Sequence, residues 1–183
     1  VYGTRVGLLS LFLFAFSPTF LAHARYVTTD VGASLGFFIG IFYFLRYLKQ
    51  RSLKSLIFAG IALGIALLLK FSVFLLIPFL AFLVLMAALI DWQPPQEHRQ
   101  TNAWKNASRL GFGLLAIFMI ASILIWIAYA YTTYNYPIER NQSDIGHNLT
   151  SFGSRFLANL DYKLAGIPAL RPWAQYAHGL LLV

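Results

Sequence analysis

Nine consecutive residues, Ala22-His23-Ala24-Arg25-Tyr26-Val27-Thr28-Thr29-Asp30, bring together an imidazole, a guanidinium, two threonine hydroxyls and a carboxylate. Further along, Lys70 stands alone between two apolar runs. A guanidinium and an ammonium are the side chains that hold phosphate, the first through paired N–H groups and the second as a point charge. A carboxylate beside them takes a proton from an attacking group or orients it. Each residue also has a plainer reading. Thr29 or Asp30 would cap a helix starting at Val31, because both types are favoured N-caps. Lys70 would extend its stem to an interface, as lysines near apolar helix ends do. Residue type alone leaves both readings open, and the elements around these residues decide what they can reach.

Those elements are apolar. Of 183 residues, 59% are hydrophobic, 17% aromatic and only 11% charged. Soluble domains carry roughly 25% charged residues, and a soluble chain of this length hides only about 70% of its surface. That excludes an ordinary soluble domain, and the high hydrophobicity excludes disorder. The net charge of +8, from 14 basic and 6 acidic residues, would suit nucleic acid only on a polar surface, which this chain lacks, so no nucleic acid partner is expected. Without cysteine there is no disulfide, thiolate or Cys-ligated metal.

A bilayer core about 30 Å thick requires roughly 17 to 25 apolar helical residues. The sequence predicts spans at about 6–20, 31–48, 55–69, 71–90 and 110–131, and the start of a further span at 177–183. Residues 55–90 as one helix would reach ~54 Å, too long for a single crossing, so a hairpin turning at Lys70 is expected. The fold class is therefore all-α, a polytopic transmembrane helix bundle, followed by an external segment over 132–176. The aromatic cluster Trp126, Tyr129, Tyr131, Tyr134 and Tyr136 marks an interfacial belt. Eight basic residues (Arg5, Arg46, Lys49, Arg51, Lys54, Arg99, Lys105 and Arg109) fall on one side of these spans, with Asp91 and Glu97. That side is cytoplasmic by the positive-inside rule, which leaves Arg25, Asp30 and Lys70 in the short loops opposite.

Glycines 32, 36 and 40 share one face of the second span, and Gly60 and Gly64 repeat the spacing in the third, a pattern for close helix contact. In the external segment Phe152, Phe156, Leu157, Leu160 and Leu164 recur at helical spacing, with Arg155, Asn159 and Lys163 on another face. Such a helix either lies on the membrane surface or packs as an ordinary loop helix. Asn106, Asn141 and Asn148 begin formal glycosylation sequons, a pattern too common to build on. A signal peptide with Arg5 as its basic end and Ala22-His23-Ala24 as its cleavage site is a rival reading of the start. The next helix follows too soon for it.

Ser17-Pro18, then Leu21-Ala22-His23-Ala24-Arg25-Tyr26-Val27-Thr28-Thr29-Asp30, then Gly60 to Gly64 and Leu69-Lys70-Phe71-Ser72 with Pro78, resemble bacterial members of the dolichyl-phosphate-mannose protein mannosyltransferase family. This is glycosyltransferase family 39, within the C-type glycosyltransferase superfamily. Arg171-Pro172 through Tyr176 and Gly179-Leu180 resemble, more weakly, a segment leading into a later span. The resemblance implies transfer of a sugar from a polyprenyl-phosphate carrier to a protein, lipid or glycan on the outer face of a bacterial inner membrane. It implies Asp30 as a second acidic residue of the catalytic site, orienting the acceptor, the donor or a partner cation rather than acting as sole base, and His23, Arg25 and Lys70 as substrate-binding residues. No cofactor is expected beyond the lipid-linked donor, with a divalent cation left open. In the family the leading base belongs to an Asp-Glu motif on the first external loop, which is expected upstream of Val1. The chain is thus expected to be a fragment and inactive alone. From a different class, a secondary transporter would line a substrate path with Asp30 and Lys70, at the membrane midplane rather than at one face. A scaffold without chemistry would make the His23–Asp30 cluster dispensable.

Overall fold

A computed structural model describes residues 3–25, 29–90, 103–148 and 155–182, without the side chains of residues 23–25 and 103. Among the described residues there is no strand. Helices α1 (Gly3–Ala15) and α2 (Pro18–Arg25) lead into α3 (Asp30–Gln50) and α4 (Leu53–Leu69). A 3-10 segment (Phe71–Leu75) continues into α5 (Leu76–Leu89), and α6 (Ala103–Thr133) follows. The chain then folds into three 11-residue helices, α7 (Ile138–Asn148), α8 (Arg155–Ala165) and α9 (Arg171–Leu181).

Local chemistry explains most boundaries. The run expected as one span at 6–20 is divided at Ser17, because Pro18 has no N–H to continue the ladder and disfavours helical backbone at the residue before it. Helix α3 ends where Arg51 takes a left-handed conformation (φ 44°), its N–H donating to the Tyr47 carbonyl at 2.8 Å. Helix α4 begins one residue later on a reciprocal cap. Ser55 N–H donates to Ser52 Oγ and Ser52 N–H to Ser55 Oγ, both at 3.2 Å. At its other end the extended backbone of Lys70 (φ −159°, ψ 139°) makes the hairpin turn expected there. Helix α6 starts seven residues before the apolar run does, since its first two turns are polar but still helical.

Among the described residues three stretches are long and apolar enough to cross a membrane: Asp30–Gln50, Phe71–Leu89 and Trp104–Thr133. Helix α4, with 17 residues, is the apolar centre of the bundle. On one side Gly36 brings α3 so close that a Cβ there would lie 3.1 Å from Ala66 Cα. On the other side Gly60 and Gly64 admit Ile120 and Leu124 of α6. Phe44, Leu63, Leu76, Leu80, Leu110 and Ile117 are buried among these helices. Outward-facing Phe38, Leu75, Leu89 and Phe112 are each at least two-thirds exposed, an apolar exterior that suits lipid rather than water.

The segment after α6 holds more helix than the single surface helix expected there, and residues 177–181 of the expected further span complete α9. Helix α9 lies along α6. Trp126 Nε1 donates to the Ala169 carbonyl at 2.8 Å, Trp173 Nε1 donates to the Ser122 carbonyl at 3.1 Å, and the two rings sit 6.5 Å apart. Ile145, Ala165 and Ala174 form a small second core joining α7, α8 and α9.

Candidate functional site

Alternation of α3, α4, α5 and α6 puts the first residues of α3, the last of α4 and the start of the 3-10 segment at one end of the bundle. At the opposite end, Leu45, Leu48 and Lys49 share a cavity lining with Leu83, Met86 and Ile90. Arg46, Lys49, Arg51 and Lys54 flank the tight α3–α4 connection at that second end. The described charges of the bundle are thus sorted by end, and Asp30 with Lys70 occupies the end poor in lysine and arginine.

Asp30 is the first residue of α3. Thr29 holds the N-cap position without a side-chain cap bond, and Asp30 lies inside the first turn. There its carboxylate meets the positive end of the helix dipole without serving as the cap. Its backbone carbonyl accepts from Ser34 Oγ at 2.9 Å, which leaves the carboxylate for other partners. One of them is Lys70. Its Nζ donates to Asp30 Oδ1, and the two side chains form an ion pair across the α3–α4 interface. Lys70 is 36% exposed and Asp30 51% exposed, so the pair is open to a ligand. At such exposure an ion pair adds only about 0–1 kcal/mol, too little to explain two charges here by stability alone.

The Lys70 turn is braced from outside. Tyr176 of α9 donates its hydroxyl to the Leu67 carbonyl at 3.3 Å. Its ring lies 5.6 Å from that of Phe71 and 5.6 Å from that of Tyr129. Gly179 allows the Phe71 ring in, where a Cβ would stand 2.3 Å from Phe71 Cζ. Residue types alone could not single out these supports, because an aromatic or a glycine in a helix has no partner until the helices dock. Their segment was visible only as the weak resemblance over Arg171 to Leu180.

His23 and Arg25 belong to the last turn of α2, which packs against the start of α3. Their side chains, and residues 26–28, lie outside the described residues, so the pairing of Lys70 and Asp30 is the part of the expected constellation that is brought together. Among the described residues no group of three or more His, Asp or Glu is placed to hold a metal ion.

A second polar cluster went unrecognised in the sequence. Asp161 of α8 is 3% exposed, and neither carboxylate oxygen has a hydrogen-bond partner. His178 Nδ1 is 3.7 Å from Oδ2, beyond hydrogen-bond range, while Asn148 Nδ2 lies 3.4 Å from His178 Nε2. Burial pushes the Asp161 carboxyl up to about 6. Nearby, Tyr136 donates to Asp144, which raises the phenol above its ordinary value, and Arg171 donates to the Tyr136 carbonyl.

A model of the dolichyl-phosphate-mannose-protein mannosyltransferase family matches residues 1–126, more than half of the chain and all of the Asp30–Lys70 region. The chain belongs to this family. It is an integral membrane protein and a glycosyltransferase of the mannosyltransferase kind. No curated protein and no solved structure matches the chain. The family match ends within α6, so α7, α8 and α9 of this mannosyltransferase-family chain lie beyond it.

Proposed function

We propose that this chain forms the donor-side part of a membrane mannosyltransferase, in which Lys70, with Arg25 and His23, holds the phosphate of a polyprenyl-phosphate-linked sugar. The observation that carries the reading is the Lys70–Asp30 pair at the lysine-poor end of the bundle. A lipid-linked phosphate enters at a membrane interface, where a lysine at a helix end is reachable from the bilayer. In the transfer an acceptor hydroxyl attacks the anomeric carbon, the bond from that carbon to the phosphate oxygen breaks, and the phosphate leaves with the electron pair. Lys70 offsets the charge gathering on that phosphate, and its effect is greatest where the charge develops. Asp30 holds the ammonium in place and orients the acceptor, whose proton goes to the acidic group expected upstream. This division of roles follows the resemblance for the upstream base and the observed contact for Asp30 and Lys70.

In this reading the site faces away from the basic end, in the inner membrane of a bacterium, and the acceptor is a protein, lipid or glycan. A divalent cation beside Asp30 is an optional further partner, and loss of transfer on chelation would identify it. A transporter reading is less favoured because the two charges sit at helix ends rather than at mid-span.

Asp30→Asn and Lys70→Ala in the intact enzyme are each expected to lower sugar transfer from a polyprenyl-phosphate donor by about 100-fold or more, with insertion unchanged. The exchanged pair, Asp30→Lys with Lys70→Asp, separates chemistry from packing. It restores an ion pair and is expected to remain inactive. Wild-type transfer by the exchanged pair would reduce the contact to a structural role and sink the assignment.

A further inference from the structure

We propose that Tyr176 and Gly179 of α9 are positioning residues for Lys70: together they fix the turn that carries it and so aim its ammonium. The inference rests on the reading of Lys70 as the residue that holds the donor phosphate. It starts from a turn without a local cause. No glycine or proline lies between Gly64 and Pro78, and Leu67-Leu68-Leu69-Lys70-Phe71 are all residues that a helix interior accepts. The backbone nevertheless leaves the helix at Lys70 (φ −159°, ψ 139°) and resumes at Phe71 as 3-10 helix. Bilayer thickness demands a break within residues 55–90, and the lone charge marks Lys70 as its place, but neither interrupts a hydrogen-bond ladder. The ion pair with the half-exposed Asp30 is too weak to hold the helix open by itself.

Helix α9 meets the chain on both sides of Lys70. Before it, Leu67 belongs to the last turn of α4, whose carbonyls have lost their intrahelical donors, and the Tyr176 hydroxyl donates to the Leu67 carbonyl at 3.3 Å. After it, the Phe71 ring lies 5.6 Å from the Tyr176 ring and fills the notch at Gly179, where any Cβ would collide with it. A helical backbone at Lys70 would redirect everything that follows and take the Phe71 ring out of this notch. The clasp is itself anchored. Tyr176 is buried, Tyr129 of α6 stands edge-on to its ring, and Trp173 and Trp126 tie α9 to α6 through the Ser122 and Ala169 carbonyls. Helix α6 in turn packs on α4 at Gly60 and Gly64, so α4, α6 and α9 close a ring of contacts around the turn. Leu67 and Tyr176 are 109 positions apart, and Tyr176 lies beyond the residues that the family match covers. The lysine is thus supplied by the matched region and aimed from outside it.

Two readouts on the intact enzyme in lipid nanodiscs separate position from catalysis. Lys70 is observed directly by NMR, as the dimethylamine signal that reductive methylation with carbon-13 formaldehyde produces and that Lys70→Arg removes. Tyr176→Phe takes away only the hydroxyl, and Gly179→Ala pushes on Phe71. Each is expected to shift the Lys70 signal toward its position in Asp30→Asn, where the ammonium has lost its carboxylate partner. On unmethylated enzyme each should lower kcat/KM for a polyprenyl-phosphate-linked sugar by about 10- to 100-fold, as a displaced binding group does, with the acceptor KM unchanged. Phe71→Leu added to Gly179→Ala relieves the collision and should restore both signal and rate. In a Lys70→Ala background Tyr176→Phe should cost nothing more, because a positioning residue acts through the group it positions. A Lys70 signal unmoved in both variants, or a Tyr176→Phe loss of equal size with and without Lys70, would overturn the proposal. Unimpaired transfer by Lys70→Ala would instead overturn the donor-site reading, and the methyl signal would then uphold or overturn the clasp by itself.

Discussion

Asp161 and Asp30 are two carboxylates in one small molecule with opposite surroundings. Asp30 is half exposed and faces an ammonium, whereas Asp161 is enclosed and lacks a hydrogen bond. For Asp161 the consequence is a dependence on pH. Its carboxyl titrates near 6 in the folded chain against an ordinary 3.8, so the folded state binds the proton more tightly between those values. Seating of α8 is therefore most stable below about pH 4, weakens as pH rises toward 6, and is flat above that. Asp161→Asn is expected to change little at pH 4 and to add on the order of 1–3 kcal/mol at pH 7.5. Hydrogen exchange of the α8 amides at the two pH values measures it, and an equal effect at both would refute the burial argument. Asn106 and Asn141, two of the three sequon asparagines, are fully buried. Residue type thus named Asp30 but not Asp161, because whether a carboxylate is paired, capping or stranded depended on neighbours far away in sequence.

Helix α4 shows how small residues set the distances between elements. A Cβ on Gly60 would stand 2.6 Å from Ile120 Cβ, and one on Gly64 would stand 3.2 Å from Ala121 Cα. Neither neighbour is the loose end of a flexible chain, so α6 would have to move. Gly60→Ala is expected to cost about 1–3 kcal/mol through overpacking. Gly111, within α6 and with no atom within 4 Å of its added Cβ, is the control, and Gly111→Ala should be neutral or slightly stabilising. Thermal unfolding in detergent compares the two, and similar losses would mean that close approach of α4 and α6 is not what Gly60 provides. The four-residue spacing of these glycines was readable in the sequence as a contact face. Which helix they admit was not, because Gly36 and Gly60 lie in similar patterns yet serve contacts of α4 with different neighbours.

At the scale of the whole molecule, the basic residues gather at one end of the bundle and the Asp30–Lys70 pair at the other, which predicts sidedness. In a cell, Gln50→Cys should react with a membrane-impermeant thiol reagent only from the cytoplasmic side. Tyr134→Cys, 85% exposed just beyond α6, should react only from the opposite side. Labelling of both from one side would overturn the proposed topology, and the two sides exchanged would invert it. Helical class, the Lys70 turn and the list of chemically capable residues follow from the sequence by itself, because bilayer thickness and the fixed rise of a helix turn apolar length into architecture. The same arithmetic missed the division at Ser17, where hydropathy continues but the hydrogen-bond ladder does not. It also missed α7 and the first half of α9, whose composition is too polar to register as spans, while α8 was legible from its helical periodicity alone. Tertiary structure alone decided that Lys70 meets Asp30, that α9 braces their turn, and that Asp161 is left enclosed. Those facts depend on which faces dock, and docking is set by the joint shape of several helices, which no single stretch of sequence encodes.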